Sequence, residues 1–146
     1  MVPSIKPTPA STKLLGAFFI LVISLLNAGC GSSNPETPED ISAAFIEAIF
    51  QNDGAFVDRY STPGMKRGTN DKLKWLFTVA PHRVPKSYDI TVDNFVESQP
   101  DMGRVHYQID LITQNGAPKS FKGSLALQKH EGQWLVHGPG NVISSL

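Results

Sequence analysis

The chain has 146 residues, 40% of them hydrophobic, with 13 Lys and Arg against 13 Asp and Glu, four His and one Cys. This suits one small globular domain and removes the electrostatic case for nucleic acid, because a basic groove is what releases phosphate counterions. A lone cysteine closes no intramolecular disulfide and builds no cysteine-rich zinc site, so a folded domain here must be held by its core.

Residues 1–13 carry Lys6 and Lys13 and no acid, and the apolar run Leu14 to Leu26 follows, ending in Asn27-Ala28-Gly29-Cys30. That order is the n-region, h-region and small-residue cleavage zone of a signal peptide. The run is short against the roughly 20 apolar residues that a bilayer core of about 30 Å asks of a helix. Cys30 sits directly behind Ala28-Gly29 and ahead of Gly31-Ser32-Ser33-Asn34-Pro35, a flexible tether. The segment resembles the bacterial lipoprotein signal. The resemblance implies cleavage before Cys30, a diacylglyceryl group on its sulfur, and membrane anchoring through palmitate-type acyl chains. Gly31, where an Asp commonly retains such proteins in the inner membrane, implies an outer-membrane lipoprotein facing the periplasm if the source is Gram-negative. The expected division is therefore a signal peptide over 1–29, a tether over 30–36 and one domain over 37–146. After residue 29 the chain has 11 basic and 13 acidic side chains. By that count the domain has no basic excess with which to grip anionic lipid, and the acyl chains must do so.

Thr37-Pro38-Glu39-Asp40 predicts a helix start, with Thr37 as N-cap, Pro38 where its missing N–H costs nothing, and acids at the positive end of the dipole. Ile41, Phe45, Ala48 and Ile49 recur at helical spacing. Asn52-Asp53-Gly54 ends this helix, and Asp53 caps a second, short one through Tyr60 with Phe56, Val57 and Tyr60 inward. Ser61-Thr62-Pro63-Gly64 breaks the pattern, and Thr69 or Asn70 starts a third helix carrying Leu73, Leu76 and Phe77 before Pro81.

From Tyr88 the period becomes two. Ile90 and Val92, then Val105, Tyr107, Ile109 and Leu111, then Phe121, Leu125 and Leu127 alternate with polar residues, and a last strand runs from Gln133 to His137. Gln99–Gly103, Asn115–Pro118 and His130–Gly132 are short turns that force antiparallel hairpins. The alternation slips at Asn94-Phe95, as a bulge in a bent strand would make it. Helices before a four-stranded antiparallel meander predict an α+β layer with the bent sheet curling over the first helix.

The stretch Thr37–Asp53, with Val105–Leu111 and Leu127–Val136, resembles the nuclear transport factor two-like superfamily, the cystatin-like cone, and its small envelope lipoproteins. Members of that superfamily range from isomerases and dehydratases with an Asp or His–Asp pair inside the cone to binding modules and secretion-machine subunits. Fold alone does not choose among them.

The His–Asp pair in regular structure is His106 with Asp110, two strand steps and about 13 Å apart on the polar side of its strand, where solvent is the expected neighbour. His82 and Arg83, between Pro81 and Pro85, read as a proline-stiffened connector able to hold an anion. His130-Glu131 belongs to a turn and His137 to a strand end; neither has metal-ligand spacing. No metal, cofactor or catalytic residue is assigned, and no phosphate loop or serine elbow occurs. Phe45, Ile49, Phe56, Tyr60, Trp75, Leu76, Phe77, Tyr107, Phe121 and Trp134 are expected to fill the interior. The Trp75 indole lies nearest an edge, and an exposed Trp75 would mark a partner surface. The expected function is a lipid-anchored envelope module, non-enzymatic, that binds a protein or small apolar ligand near the membrane through no nucleic acid or metal. The alternatives are an isomerase or dehydratase with an acid in the cone, or a docking subunit of a secretion or conjugation assembly.

Overall fold

Thr37 holds extended backbone and its Oγ1 accepts from the Asp40 N–H at 3.1 Å, opening helix α1 (Pro38–Phe50) as the cap pattern requires. The computed structural model describes residues 34–138 and 142–146, and the signal segment with Cys30 lies outside them. Asn52, in the left-handed region at φ 59°, turns the chain after α1, and the Asp53 N–H closes on the Ala48 carbonyl. Asp53 then caps α2 (Gly54–Arg59) through the Phe56 N–H at 3.0 Å.

Helix α3 runs from Pro63 to Thr78, starting well before the Thr69 or Asn70 expected from the sequence. Gly64 and Gly68 hide the start, since each costs about 1 kcal/mol of helix propensity against Ala. Pro63 nevertheless supplies the fixed φ of a first helical residue, and the Thr62 carbonyl accepts from Met65 and Lys66. A 3₁₀ turn, Pro81–Arg83, follows and leads into the sheet.

The sheet comprises β1 (Ser87–Val92), β2 (Val96–Gln99), β3 (Met102–Ile112), β4 (Pro118–His130) and β5 (Gln133–Gly138), all antiparallel, in the order β1-β3-β4-β5 with β2 also on β3. It therefore has five strands where four were expected. The slip at Asn94-Phe95 is a break rather than a bulge: β1 pairs with Tyr107 to Ile112, β2 pairs with Met102 to Arg104, and the two share one edge of β3. Bulges sit instead between Glu97 and Gln99 and between Ala126 and Leu127. The β4–β5 turn takes φ 50° at Glu131 and 84° at Gly132, the two left-handed positions that match strand twist in a two-residue hairpin. On the far edge the Val136 N–H donates to Tyr60 O and the Thr62 N–H donates to Val136 O, so the α2–α3 connector covers β5. A short helix not foreseen from the sequence, α4 (Val142–Ser145), packs Val142 and Ile143 into the core.

Two glycines shape the inner face. Gly123 lies under the end of the Tyr107 side chain and Gly103 under Phe95; a Cβ would come within 2.3 Å of the Tyr107 hydroxyl at the first and of the Phe95 ring at the second. An aromatic laid across a glycine on the neighbouring strand lets the sheet bend without opening a void. Val105, Tyr107, Ile109, Leu111, Leu125, Leu127 and Val136, each no more than 5% exposed, face Phe45, Ile46 and Ile49 of α1 in one core cluster. Of the aromatic residues expected inside, Phe56, Phe77, Phe121 and Trp134 are only half-buried and pack around that cluster. Trp75 is out of it, 41% exposed.

Candidate functional site

Three places on the domain bring chemically useful side chains together. The first is the inner face of the bent sheet, where helix α1 closes the concavity. Its lining is largely apolar; among the described residues the buried side chains that carry polar atoms are Ser42, Ser61, Thr62, Thr69 and the phenols Tyr60 and Tyr107, with no carboxylate, imidazole or ammonium among them. The Ser42 hydroxyl donates to the Pro38 carbonyl inside its own helix.

The second place is the outer face, built by the alternate residues of the same strands. His106 and Asp110 are both exposed there, as their polar-side register predicts, and they do not meet. Gln108, between them, donates through Nε2 to both Asp110 carboxylate oxygens at 3.2 and 3.0 Å. Hydrogen bonds from Ser120 and Gln108, with the Lys122 charge, hold the Asp110 carboxyl below its ordinary 3.8 against a smaller opposing effect of burial. Asp89 of β1 stands directly across from Asp110 in the ladder. Open clefts of about 540 and 570 Å³ flank this row; Asp89, Asp110 and Ser120 line one, and Arg104, His106, Lys122 and Ser124 the other. The Arg104 guanidinium reaches Ser124 Oγ at 3.4 Å across the strands.

The third place is the end of α3 and the turn after it. Arg83 lies over the Trp75 ring, 5.5 Å from the guanidinium carbon to the centroid, a cation–π contact. The proline-stiffened loop thus holds its cation against an aromatic, and His82 beside it is exposed. Val79, one helical turn beyond Trp75, is 65% exposed. Sequence reading missed Val79, although its i, i+4 spacing to a tryptophan and its place off the Leu73–Leu76 side of the helix mark it. Nearby, Lys119 Nζ donates to the Ser145 carbonyl and so fastens α4 to β4.

His130 and His137 are exposed and stand apart from these groups. Among the described residues no three His, Cys, Asp or Glu side chains gather as metal ligands would. No described helix is long and apolar enough to cross a membrane.

No protein-family profile matches the chain, and no curated protein matches it. Solved structures do. A SEC-C motif-containing protein from Rhodopseudomonas palustris is similar over 69% of this chain and 75% of its own, at 14% identity and a TM-score of 0.54. A ketosteroid isomerase-like protein from Erwinia carotovora atroseptica is similar over 67% and 86%, at 16% identity and a TM-score of 0.52. An NTF-2 like protein of unknown function from Shewanella oneidensis is similar over 68% and 94%, at 13% identity and a TM-score of 0.50. Identities this low carry the fold alone. Helices first and a bent five-stranded antiparallel sheet after them make this an α+β domain with the nuclear transport factor two-like fold.

Proposed function

We propose that the chain is a lipid-anchored cell-envelope protein whose domain serves as a non-enzymatic binding or accessory module. The observation that carries this reading is the make-up of the concave face: apolar side chains and the Tyr107 ring fill it from β3, β4, β5 and α1, and among the described residues no carboxylate or imidazole is buried there, with His106 and Asp110 on the other side. General acid–base chemistry in a cone most often uses a carboxyl or imidazole held there, desolvated and partnered. His106 and Asp110, the pair with the right chemistry, belong to the outer face and are separated by Gln108. Cys30, with small residues ahead of it and a Gly-Ser tether behind, is the attachment point in this reading, and acyl chains of the kind found on lipoproteins bind bilayers at about 0.8 kcal/mol per buried CH₂. A bilayer-held module of this kind serves a neighbour in the envelope, a protein partner above all.

Labelling with a fatty-acid analogue, detergent phase partition and crosslinking in intact membranes test the two halves together. The wild-type chain is expected to take the label, enter the detergent phase and form a discrete protein adduct; Cys30→Ala loses the label and moves to the aqueous phase. Continued labelling of Cys30→Ala overturns the anchor. Turnover of a small substrate, lost when an inner-face residue such as Tyr107 is replaced by Phe in a folded variant, overturns the non-enzymatic half.

A further inference from the structure

Charge is unevenly distributed along the domain. Between Lys66 and Lys86 six basic side chains, Lys66, Arg67, Lys72, Lys74, Arg83 and Lys86, stand against one acid, Asp71; the rest of the chain after residue 29 has five basic and twelve acidic side chains. A near-neutral total conceals this segregation, which is why a count over the whole domain finds no basic excess. The same segment carries Trp75 and Val79, two of the three exposed large hydrophobic residues among the described residues. Lys72, Trp75 and Val79 follow one another at i, i+3 and i+7 along the exposed side of α3, away from the buried Thr69, Leu73 and Leu76. Arg83 reaches back over Trp75. Asp71 is flanked at helical spacing by Arg67 and Lys74, so the single acid is outweighed on both sides.

We infer that the exposed face of α3, with the Pro81–Arg83 turn, is a docking surface for an anionic lipid bilayer. The chemistry of the face matches that partner in both respects. Its cations complement a negative headgroup layer, and a tryptophan with an aliphatic neighbour beside them is the side-chain pair that settles at the headgroup level. A second copy of the chain fits poorly, because the same face turned on itself opposes like charges. The inference rests on the anchored reading only for proximity. Seven residues from Cys30 to Thr37 span at most about 25 Å, which in that reading keeps the domain close to lipid.

Tryptophan quenching by brominated acyl chains tests it, with the full chain reconstituted in vesicles of phosphatidylcholine alone or mixed with phosphatidylglycerol. The expected result is quenching that appears with phosphatidylglycerol, weakens as salt is added, and disappears in Trp75→Phe, which leaves Trp134 as the remaining indole. The double variant Lys72→Glu/Arg83→Glu is expected to lower the contact equilibrium about tenfold or more, whereas Lys122→Glu, on the outer face of the sheet, leaves it unchanged. Equal quenching in the two vesicle types, or quenching that Lys72→Glu/Arg83→Glu does not reduce, overturns the inference. So does protection of Trp75 from acrylamide that grows with protein concentration in the absence of vesicles, which would give the face to a second copy. Headgroup-dependent quenching by a chain without lipid mass on Cys30 supports the surface and removes the anchor. A lipidated chain without such quenching keeps the anchor and removes the surface.

Discussion

The backbone N–H of Phe95 donates to Glu39 Oε1 at 2.7 Å across 56 residues of sequence. One carboxylate in the first turn of α1 therefore satisfies the backbone at the break between β1 and β2, where the ladder to β3 is interrupted. At the same place the Phe95 ring covers Gly103 and meets the Trp134 ring edge-on at 4.9 Å. The helix start, the break in the edge strand and the last hairpin are joined at this corner.

Glu39→Ala removes the acceptor and leaves the Phe95 N–H to find water. A loss of about 1.5–3 kcal/mol is expected, the range for hydrogen bonds to charged groups, and Glu39→Gln, whose amide oxygen still accepts, should recover much of it. Urea denaturation checks this; an unchanged midpoint for Glu39→Ala would show that the contact does not hold the corner.

Alanine at the two inner-face glycines separates two kinds of crowding. At Gly123 the added Cβ meets the far end of the Tyr107 side chain, which can swing, whereas at Gly103 it also meets the Val96 carbonyl at 2.5 Å, which is backbone. Overpacking costs about 1–3 kcal/mol, and Gly103→Ala is expected at or above the top of that range with Gly123→Ala below it. Thermal unfolding of the two variants gives the order directly.

The two tryptophans should behave oppositely on truncation. Trp134 is half-buried against Phe95 and under the Lys129 ammonium, so Trp134→Ala is expected to cost about 2–3 kcal/mol, less than the roughly 3–5 of a fully buried aromatic. Trp75→Ala removes an exposed ring from the end of α3 and should stay within about 0.5 kcal/mol of wild type. Equal losses for the two would mean that α3 packs differently against the domain.

Asp110 sets a sign for the acid limb of stability. Its folded carboxyl titrates below 3.8, so the ionised form is favoured by folding; the stabilisation is present above that value and fades as pH falls through the lower folded value. Ser120→Ala is expected to raise the Asp110 titration toward 3.8 by more than Lys122→Ala does, because the hydrogen bond is the larger cause. Carboxyl ¹³C shifts followed against pH measure it; a larger response to Lys122→Ala would contradict the assignment.

Much of this fold was legible because its signals are local. The Thr37 cap, the Asp53 cap and the alternation from Val105 to Leu111 depend on neighbours within a few residues, and they predict α1, α2 and β3. The start of α3 was hidden because Gly64 and Gly68 argue against a helix that Pro63 at its first position and the packing of Met65 and Thr69 nevertheless support. The break at Asn94-Phe95 reads as a bulge in one dimension, since only the register on β3 tells a pause from a slip. On the site, the solvent-facing placement of His106 and Asp110 followed from strand parity. The pairing of Arg83 with Trp75 did not, because it joins two elements through a turn whose path the sequence leaves open.

Mass spectrometry of the native protein extracted from its own membranes tests the placement of the chain most directly. A mature chain beginning at Cys30, carrying a diacylglyceryl thioether and the mass of its acyl chains, is the predicted result. A chain that keeps residues 1–29 and bears no lipid mass on the Cys30 sulfur would contradict it.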